Sequence, residues 1–311
     1  MSTLTITQHL TTATAALASQ DLSADAIARA VWTTIGEPGD TEAGALINAV
    51  GAADALTLVC QSEGTTAGMD LTNLRERTLP RIADSSIATA LAAAAQVDAV
   101  LITPEHPHWP AGFADLGPSA PHALWARGNT ALLVAPKSIA VIGARVASGY
   151  GEHVCMEIVA GLIGRGHTIV SGAAYGIDGM AHRAALASDG PTVAYLAGGV
   201  DRFCPTGHDA LLSRIVSAGV VASELACTAA PTKWRFLMRN RLIAAGSNAT
   251  LVVEAGWRSG SLNVAGHAVV LGRPLGAVPG PVTSPTSAGC HRLIKEYRAH
   301  IITDATDAAE L

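Results

Sequence analysis

The stretch Ser138-Ile-Ala-Val-Ile142, followed by Gly143-Ala-Arg145-Val-Ala-Ser148, decides how the rest of the chain is interpreted. Five uncharged, mainly apolar residues in a row are typical of a strand that is buried on both faces, as in a parallel sheet. Gly143 permits a tight turn, and Ser148 is a good first residue for a helix. The stretch therefore predicts the first strand, loop and helix of an α/β fold.

Five further short apolar runs repeat this pattern in the second half of the chain. Each run is followed by small or glycine-rich residues and then by a helical segment. The runs are Thr168–Val170, Thr192–Tyr195, Gly219–Ala222, Thr250–Val253 and Leu275–Val278. We therefore predict an α/β fold with a doubly wound, mostly parallel sheet, whose ligands bind beyond the carboxyl ends of the strands.

The first half of the chain has a different, helical pattern. Ser23 can cap a helix that runs to Trp32, and Glu37-Pro38-Gly39-Asp40 interrupts the pattern before the next helix. The proline-rich stretch from Pro107 to Gly128 is interpreted as a structured connector. The predicted organisation is a small helical domain over residues 1–100, a connector over 101–130 and an extended Rossmann-like domain over 131–311.

Composition excludes several classes of protein. A hydrophobic content of 49% with 14% charged residues is typical of a folded globular protein and not of a disordered one. The five cysteines lie far apart without a C-x-x-C pair, which argues against a disulfide framework or a zinc knuckle. No signal peptide or run of membrane-spanning length is evident. We expect a cytoplasmic protein with no membrane association, no metal and no cofactor.

Charge is distributed unevenly between the two halves. Residues 1–130 contain five arginines and no lysine against thirteen acids, which gives −8, whereas residues 131–311 contain fifteen basic and twelve acidic residues, which gives +3. Such an asymmetry indicates an acidic accessory half and a half that can receive an anion.

The most basic segment is Lys233-Trp-Arg-Phe236-Leu-Met-Arg239-Asn240-Arg241. Arginine side chains can bind phosphate oxygens with two hydrogen bonds, and aromatic faces can stack on bases. A solvated helix face with its apolar side in the core is the structural alternative for such a run.

Three loops that follow predicted strands are rich in hydrogen-bond donors. The first contains Gly143, Arg145 and Ser148, the second contains Gly172, Tyr175 and Gly176, and the third contains Ser259, Gly260 and Ser261. Loops of this kind at helix starts can bind phosphate, although each one alone is also consistent with a tight connection. The dinucleotide-binding pattern G-x-G-x-x-G is absent. Three neighbouring loops nevertheless favour an anion site on one edge of the sheet.

These motifs together resemble the DNA-processing protein DprA/Smf family, in its actinobacterial branch. The resemblance depends on their order and spacing, and it extends to the first half through Glu37-Pro38-Gly39-Asp40, Trp109-Pro110 and the segment Pro121–Gly128. The further motifs that carry it are Ser171-Gly172-x-Ala174-x-Gly176-Ile177-Asp178, Phe236 with Arg239-Asn240-Arg241, Val253-Glu254-Ala255, Ser259-Gly260-Ser261-Leu262 and Val278-Pro279-Gly280.

The resemblance implies an extended Rossmann-like domain preceded by a helical, sterile-alpha-motif-like domain. It also implies a homodimer that binds single-stranded DNA and loads a RecA-type recombinase during natural transformation. Since the chain ends soon after Ile301, we expect no winged-helix domain of the kind that many members carry. Many members have Lys or Arg at the position of Tyr175, so either phosphate binding is weaker here or Tyr175 stacks on a base.

On this interpretation each predicted contact has a role. Arg145, Arg239 and Arg241 hold phosphates, Phe236 and Tyr175 stack on bases or wedge between them, and Asn240 fixes the loop or a base edge. The remaining predicted contacts, which offer backbone or hydroxyl donors, are Gly143, Ser148, Gly172, Gly176, Ser259, Gly260 and Ser261.

Two other classes of function stay open. Related Rossmann-like proteins bind nucleotides or hydrolyse nucleoside monophosphates, but their Pro-Gly-Gly-x-Gly-Thr motif is absent, and Glu254 is better interpreted as a carboxylate that anchors a loop. Asp178 is expected to cap its helix, and a hydrolytic pair of Asp178 with His182 lacks a nucleophile at motif spacing. A purely structural partner-binding protein would leave the arginine cluster unexplained.

Overall fold

A computed structural model describes residues 3–61, 69–82 and 86–311. Its centre is a nine-stranded sheet with the strand order β1-β2-β6-β5-β4-β3-β7-β8-β9. Strand β2 is antiparallel to both β1 and β6, and every other neighbouring pair is parallel. The strands are β1 (Val100–Ile102), β2 (Leu124–Gly128), β3 (Ser138–Ile142), β4 (Thr168–Ser171), β5 (Thr192–Tyr195), β6 (Val220–Ser223), β7 (Ala249–Val252), β8 (Leu275–Ala277) and β9 (His300–Ile301).

Thirteen α-helices surround this sheet or precede it in the described ranges. Six belong to the first half: α1 (Thr3–Ala16), α2 (Ala24–Ile35), α3 (Thr41–Val50), α4 (Ala52–Cys60), α5 (Thr72–Ile82) and α6 (Ser86–Gln96). Seven belong to the second half: α7 (Gly149–Ile163), α8 (Ile177–Ala187), α9 (Asp209–Ala218), α10 (Lys233–Ala245), α11 (Ser261–Val270), α12 (Ala288–Tyr297) and α13 (Ala305–Ala309). Short 3₁₀ helices cover Ala18–Gln20, Ala111–Ser119, Thr130–Val134 and Thr206–His208.

The predicted fold class is confirmed, because the sheet is mostly parallel and doubly wound. Helices α7, α8 and α9 pack on one face of the sheet, whereas α10, α11 and α12 pack on the opposite face. Strand β3 lies between β4 and β7, so the chain reverses its direction of winding next to β3. Ligands of doubly wound sheets bind where the winding reverses, and the loops after β3 and β7 meet there.

The segment predicted as a connector belongs to the sheet, which corrects that prediction. Strands β1 and β2 extend the sheet beyond β6 by antiparallel pairing. Trp125 of β2 is buried, and its indole N–H donates to the hydroxyl of Thr33 in α2 at 2.9 Å. The sheet domain therefore begins before residue 131, because β2 pairs with the edge of β6 and β1 pairs with β2.

The first half is helical, as predicted. The hydroxyl of Ser23 caps α2 by accepting from the backbone N–H of Ala26, and the helix continues three residues past Trp32. One continuous apolar core joins these helices to β1, β2, β5 and β6, so the helical region packs directly on the sheet. Within the predicted domain 1–100, residues 1–2, 62–68 and 83–85 lie outside the described residues.

Across the described ranges, no single helix is both long and apolar enough to cross a membrane. Helices α3 and α4 reach that length only together, and the chain bends by 115° between them.

Candidate nucleic-acid interface

The loops after β3, β4 and β7 contact one another at the carboxyl edge of the sheet. Gly176 has a positive φ of 74°, and a β-carbon there would collide with the backbone carbonyl of Ala144 in the first loop. A β-carbon on Gly143 would lie 2.6 Å from the side chain of Ile177 at the start of α8. These glycines are therefore required by the close approach of one loop to another.

Glu254 is buried at the centre of this edge and anchors the first loop. Its carboxylate accepts from the backbone N–H of Ser148 at 2.9 Å, from the Ser148 hydroxyl at 2.6 Å and from the Thr286 hydroxyl at 2.9 Å. The Ser148 hydroxyl in turn caps α7 by accepting from the N–H of Gly151 at 3.1 Å. The donors of Ser148 are thus already bonded to a carboxylate of the protein, as expected for a loop anchor.

Asp178 has a similar role between the first and second loops. Its carboxylate accepts from the N–H of Gly143, and the N–H groups of Gly172 and Ala174 also bond to it. Burial raises the pKa of Asp178, and the nearby Arg239 opposes that shift. The expectation that Asp178 caps its own helix is wrong, because the N-cap residue of α8 is Gly176 and no side chain forms a capping hydrogen bond there.

The third loop keeps an exposed donor group. The hydroxyls of Ser259 and Ser261 bond to each other at 2.7 Å, and Ser261 is buried. Gly260 between them is exposed, and apart from its two chain neighbours no described residue has an atom within 4 Å of where its β-carbon would be. The start of α11 is therefore open at Gly260, whereas the first two loops are largely occupied by Glu254 and Asp178.

Arg239 is buried, which differs from the prediction that it binds phosphate. Its guanidinium donates to the carbonyls of Gly172 at 2.6 Å and Tyr195 at 2.5 Å, at the ends of β4 and β5. Burial lowers its pKa to about 10, so the group remains charged at neutral pH. A β-carbon on Gly172 would lie 2.6 Å from this guanidinium. Arg239 and Gly172 thus position α10 against the sheet.

Arg241 and Asn240 also bond within the protein. Arg241 is 2% exposed and forms a two-pronged ion pair with the buried Glu224 at 2.6 and 2.7 Å. The Asn240 amide donates to the side-chain oxygen of Asn263 at 3.0 Å. The prediction that Arg241 holds a phosphate is corrected for the same reason as that for Arg239, because a guanidinium bonded inside the protein is not available to a ligand.

Arg145 and Phe236 form the exposed part of the predicted site. Arg145 is exposed, and its guanidinium carbon lies 5.3 Å from the centroid of the Phe236 ring. Arg239 lies 5.8 Å from the same centroid on its buried side. Phe236 is therefore half-buried between two cations, and it holds the Arg145 guanidinium at the surface by cation-π attraction.

Tyr175 of the second loop is the exposed aromatic residue next to this pair. Its side chain is 47% exposed, and the ring packs edge-on against His208 with the centroids 4.9 Å apart. The residue after it, Gly176, contacts the backbone of Arg145. Tyr175 and Arg145 therefore lie on adjoining loops with solvent in front of them.

Two tryptophans are exposed here that sequence reasoning did not include among the contacts. Trp234 at the start of α10 is 57% exposed, and Trp257 in the third loop is 56% exposed. Arg292 of α12 covers Trp257 with its guanidinium carbon 5.1 Å from the ring centroid. Their signal in the sequence is weak but present, since both stand beside a basic residue in a chain with only 4% aromatic residues.

The arrangement gives little support to hydrolysis. His182 is buried, its Nδ1 bonds to the Thr192 hydroxyl at 2.7 Å, and burial lowers its pKa to about 3. It therefore contacts Thr192 and does not form the hydrogen-bonded pair with Asp178 that a triad needs.

A cavity of about 430 Å³ opens at the opposite edge of the sheet, and its lining includes Trp109, Asn248 and Arg273 but none of the predicted contacts.

Comparison with known proteins gives a consistent result. A putative DNA processing protein DprA of Mycobacterium tuberculosis is 51% identical over 221 residues, which cover 68% of this chain and 57% of that protein. The DNA processing protein DprA of Bacillus subtilis is 34% identical over 206 residues, or 66% of this chain and 68% of that protein. The chain thus spans a little over half of the mycobacterial relative's length.

Two solved structures of DNA processing protein A resemble this fold. The protein from Streptococcus pneumoniae has a TM-score of 0.75 at 28% identity, covering 93% of this chain and 98% of that one. The protein from Helicobacter pylori, described with its single-stranded DNA binding mode, has a TM-score of 0.62 at 29% identity and covers 68% and 94%. A family model described as DNA recombination-mediator protein A matches residues 100–311, which is more than half of the chain. The chain therefore belongs to the DNA recombination-mediator protein A family.

Proposed function

We propose that this chain binds single-stranded DNA at the carboxyl edge of its sheet. The observation that carries the proposal is the exposed Arg145 guanidinium, held over Phe236 at 5.3 Å and adjoining the half-exposed ring of Tyr175. A cation beside an aromatic face matches the alternation of phosphate and base in a single strand. The Helicobacter pylori relative, described for its single-stranded DNA binding, supports the same class of ligand.

The exposed groups favour backbone and ring recognition over base-edge recognition. Arg145 would bind a phosphate, Tyr175 would stack on a base, and the Gly260 N–H at the start of α11 would add a donor. The Asn240 amide, which could read a base edge, is instead bonded to Asn263. We therefore expect binding with little dependence on base sequence and with affinity that falls as salt rises.

We further propose that the protein is a mediator and not an enzyme. Glu254 supports this because it is buried and its carboxylate accepts three hydrogen bonds from protein donors, so that this acid is not free to act on a substrate. His182 supports it because the imidazole is buried and neutral at physiological pH.

The proposed partners are a RecA-type recombinase and a second copy of this chain. The family description as a recombination mediator supports the recombinase, and exposed apolar side chains at the β9 edge, Tyr297 and Ile301, are consistent with a contact between copies. Sedimentation would measure the state of association. DNA strand exchange by a recombinase, with and without this protein on DNA coated by single-strand-binding protein, would measure loading.

The test of DNA binding compares two variants, each of which replaces one exposed arginine by the uncharged glutamine. Arg145→Gln removes the proposed phosphate contact, whereas Arg165→Gln removes an exposed charge after α7, at the opposite edge of the sheet. Loss of one charge-assisted contact corresponds to about 1.5–3 kcal/mol. Fluorescence anisotropy with labelled single- and double-stranded oligonucleotides at two salt concentrations should show weaker single-strand binding for Arg145→Gln alone. Equal affinities of the parent and both variants, with unchanged melting temperatures, would refute the proposal.

A further inference from the structure

Tyr175, Gly179 and Arg183 follow one another at a spacing of four residues, from the second loop along one face of α8; they are called the α8 stripe here. Residues four apart on a helix lie on one face, and side chains tilt toward the helix amino terminus. The Arg183 guanidinium follows this rule, because its Nη1 lies 3.1 Å from where a β-carbon of Gly179 would be. Arg183 therefore extends back along α8 toward the carboxyl edge of the sheet.

His208 fills the space above Gly179 and joins the two ends of this stripe. Its Cε1 and Nε2 lie 2.5 and 3.0 Å from the same β-carbon position, and its Nδ1 bonds to the Ala173 carbonyl at 3.0 Å. The other side of the imidazole packs against the Tyr175 ring at 4.9 Å. The buried His208 thus packs against both Tyr175 and the α8 turn that Arg183 covers, and the exposed side chains of Tyr175 and Arg183 lie on either side of it.

Arg183 differs from most arginines of the chain in having its charge available. It is exposed, and it has no ion pair or hydrogen bond with the residues that the structure describes. By contrast, Arg235 pairs with Glu37 at 2.9 Å, and Arg241 pairs with Glu224. Arg145, on the other side of Tyr175, is likewise exposed and without a carboxylate partner in the described ranges.

We propose that Arg183 binds a second phosphate of the same strand, so that the Tyr175 ring and its stacked base lie between two phosphate-binding arginines. This inference rests on the proposed function. It assigns the path of the single-stranded DNA over the protein, which runs from Arg145 across the second loop and along α8. His208 acts as the positioning residue, since its ring keeps Tyr175 and Arg183 apart.

The experiment measures oligothymidylate binding by anisotropy over a range of salt concentrations, using the intact chain. Arg183→Gln should weaken binding by about tenfold, the loss expected for one charge-assisted contact. It should also reduce the slope of log affinity against log salt by about 0.7, the value for one phosphate of a single strand. Arg183→Lys should retain most of the affinity. Arg165→Gln removes an exposed charge that is bonded to the Gly161 carbonyl and the Thr306 hydroxyl, far from the proposed path, and this control should keep the parent's affinity and salt slope.

The outcomes separate the two levels of the proposal. If Arg145→Gln weakens binding while Arg183→Gln keeps the parent's affinity and salt slope, the second phosphate site is wrong and the proposed function stands. If neither variant weakens binding, the proposed function fails as well. Weaker binding by Arg183→Gln supports the proposal when the variant keeps the parent's melting temperature and its salt slope falls by about 0.7. Partial unfolding would lower the amount of active protein, but it would not change the salt slope by the value for one phosphate.

Discussion

Replacing Arg241 by alanine distinguishes a structural arginine from a DNA-binding one. The guanidinium is 2% exposed, and four hydrogen bonds hold it in place. Two go to the Glu224 carboxylate at 2.6 and 2.7 Å, and the others go to the carbonyls of Ser119 at 3.0 Å and Met238 at 3.2 Å. The side chain therefore ties α10 to the end of β6 and to the 3₁₀ segment that precedes β2.

The expected effect is large because Glu224 is also buried. Removing one partner of a buried ion pair leaves an uncompensated charge, which typically costs about 3–5 kcal/mol in the free energy of unfolding. In a chain of this size that loss lowers the melting temperature on the order of 10 °C. Arg241→Met combined with Glu224→Leu removes both charges and should recover much of the lost stability, since buried pairs can often be replaced by apolar side chains.

The assay is urea and thermal denaturation followed by circular dichroism, with Arg145→Ala as the exposed control. An exposed substitution of this kind should change the free energy of unfolding by less than about 0.5 kcal/mol. If Arg241→Ala unfolded at the parent's urea midpoint while its DNA affinity fell, Arg241 would be a ligand contact and the structural role argued here would be refuted.

Two further outcomes follow from buried titratable groups. Glu254→Gln should reduce stability by about 1–3 kcal/mol, because one of the Ser148 donors loses its acceptor, and the parent should release no free base from nucleoside monophosphates in a chromatographic assay. Base release by the parent that disappears in Glu254→Gln would contradict the mediator role. The pKa of His182 is lowered by burial from 6.5 to about 3. Between these two pH values the imidazole is protonated in the unfolded chain and neutral in the folded one. Stability should be full above pH 6.5 and should fall as the pH is lowered toward 3, by up to about 1.4 kcal/mol per pH unit from this group. His182→Asn should flatten that part of the profile in urea unfolding, and identical profiles would disprove the assignment.

Much of the fold follows from local patterns along the chain. The run Ser138–Ile142 matches β3, and Thr192–Tyr195 matches β5, because a strand buried on both faces must be apolar throughout. The Ser23 cap of α2 is equally local, since its hydroxyl bonds three residues further on. Strand β2 was not predicted, because its place in the sheet depends on pairing with β6, almost a hundred residues away.

The site divides in the same way. That three donor-rich loops lie at one edge is implied by their position after parallel strands, and the exposed Arg145 is consistent with that expectation. Which donors remain open to a ligand depends on acids that are distant in sequence: Glu254 lies 106 residues from Ser148, and it bonds to that residue's N–H and hydroxyl.

The sequence by itself determined the helical character of the first half, the strands β3 to β8 of the second half, the edge at which the glycine loops meet and the excess of basic residues in the second half. Only the tertiary structure decided which of those basic residues face solvent. Arg145, Arg239 and Arg241 are the same residue type near the same edge, but the carbonyls of Gly172 and Tyr195 and the carboxylate of Glu224 bind two of them inside the protein. The physical reason is that a buried guanidinium must be fully hydrogen-bonded, and its acceptors come from strands that only folding brings together.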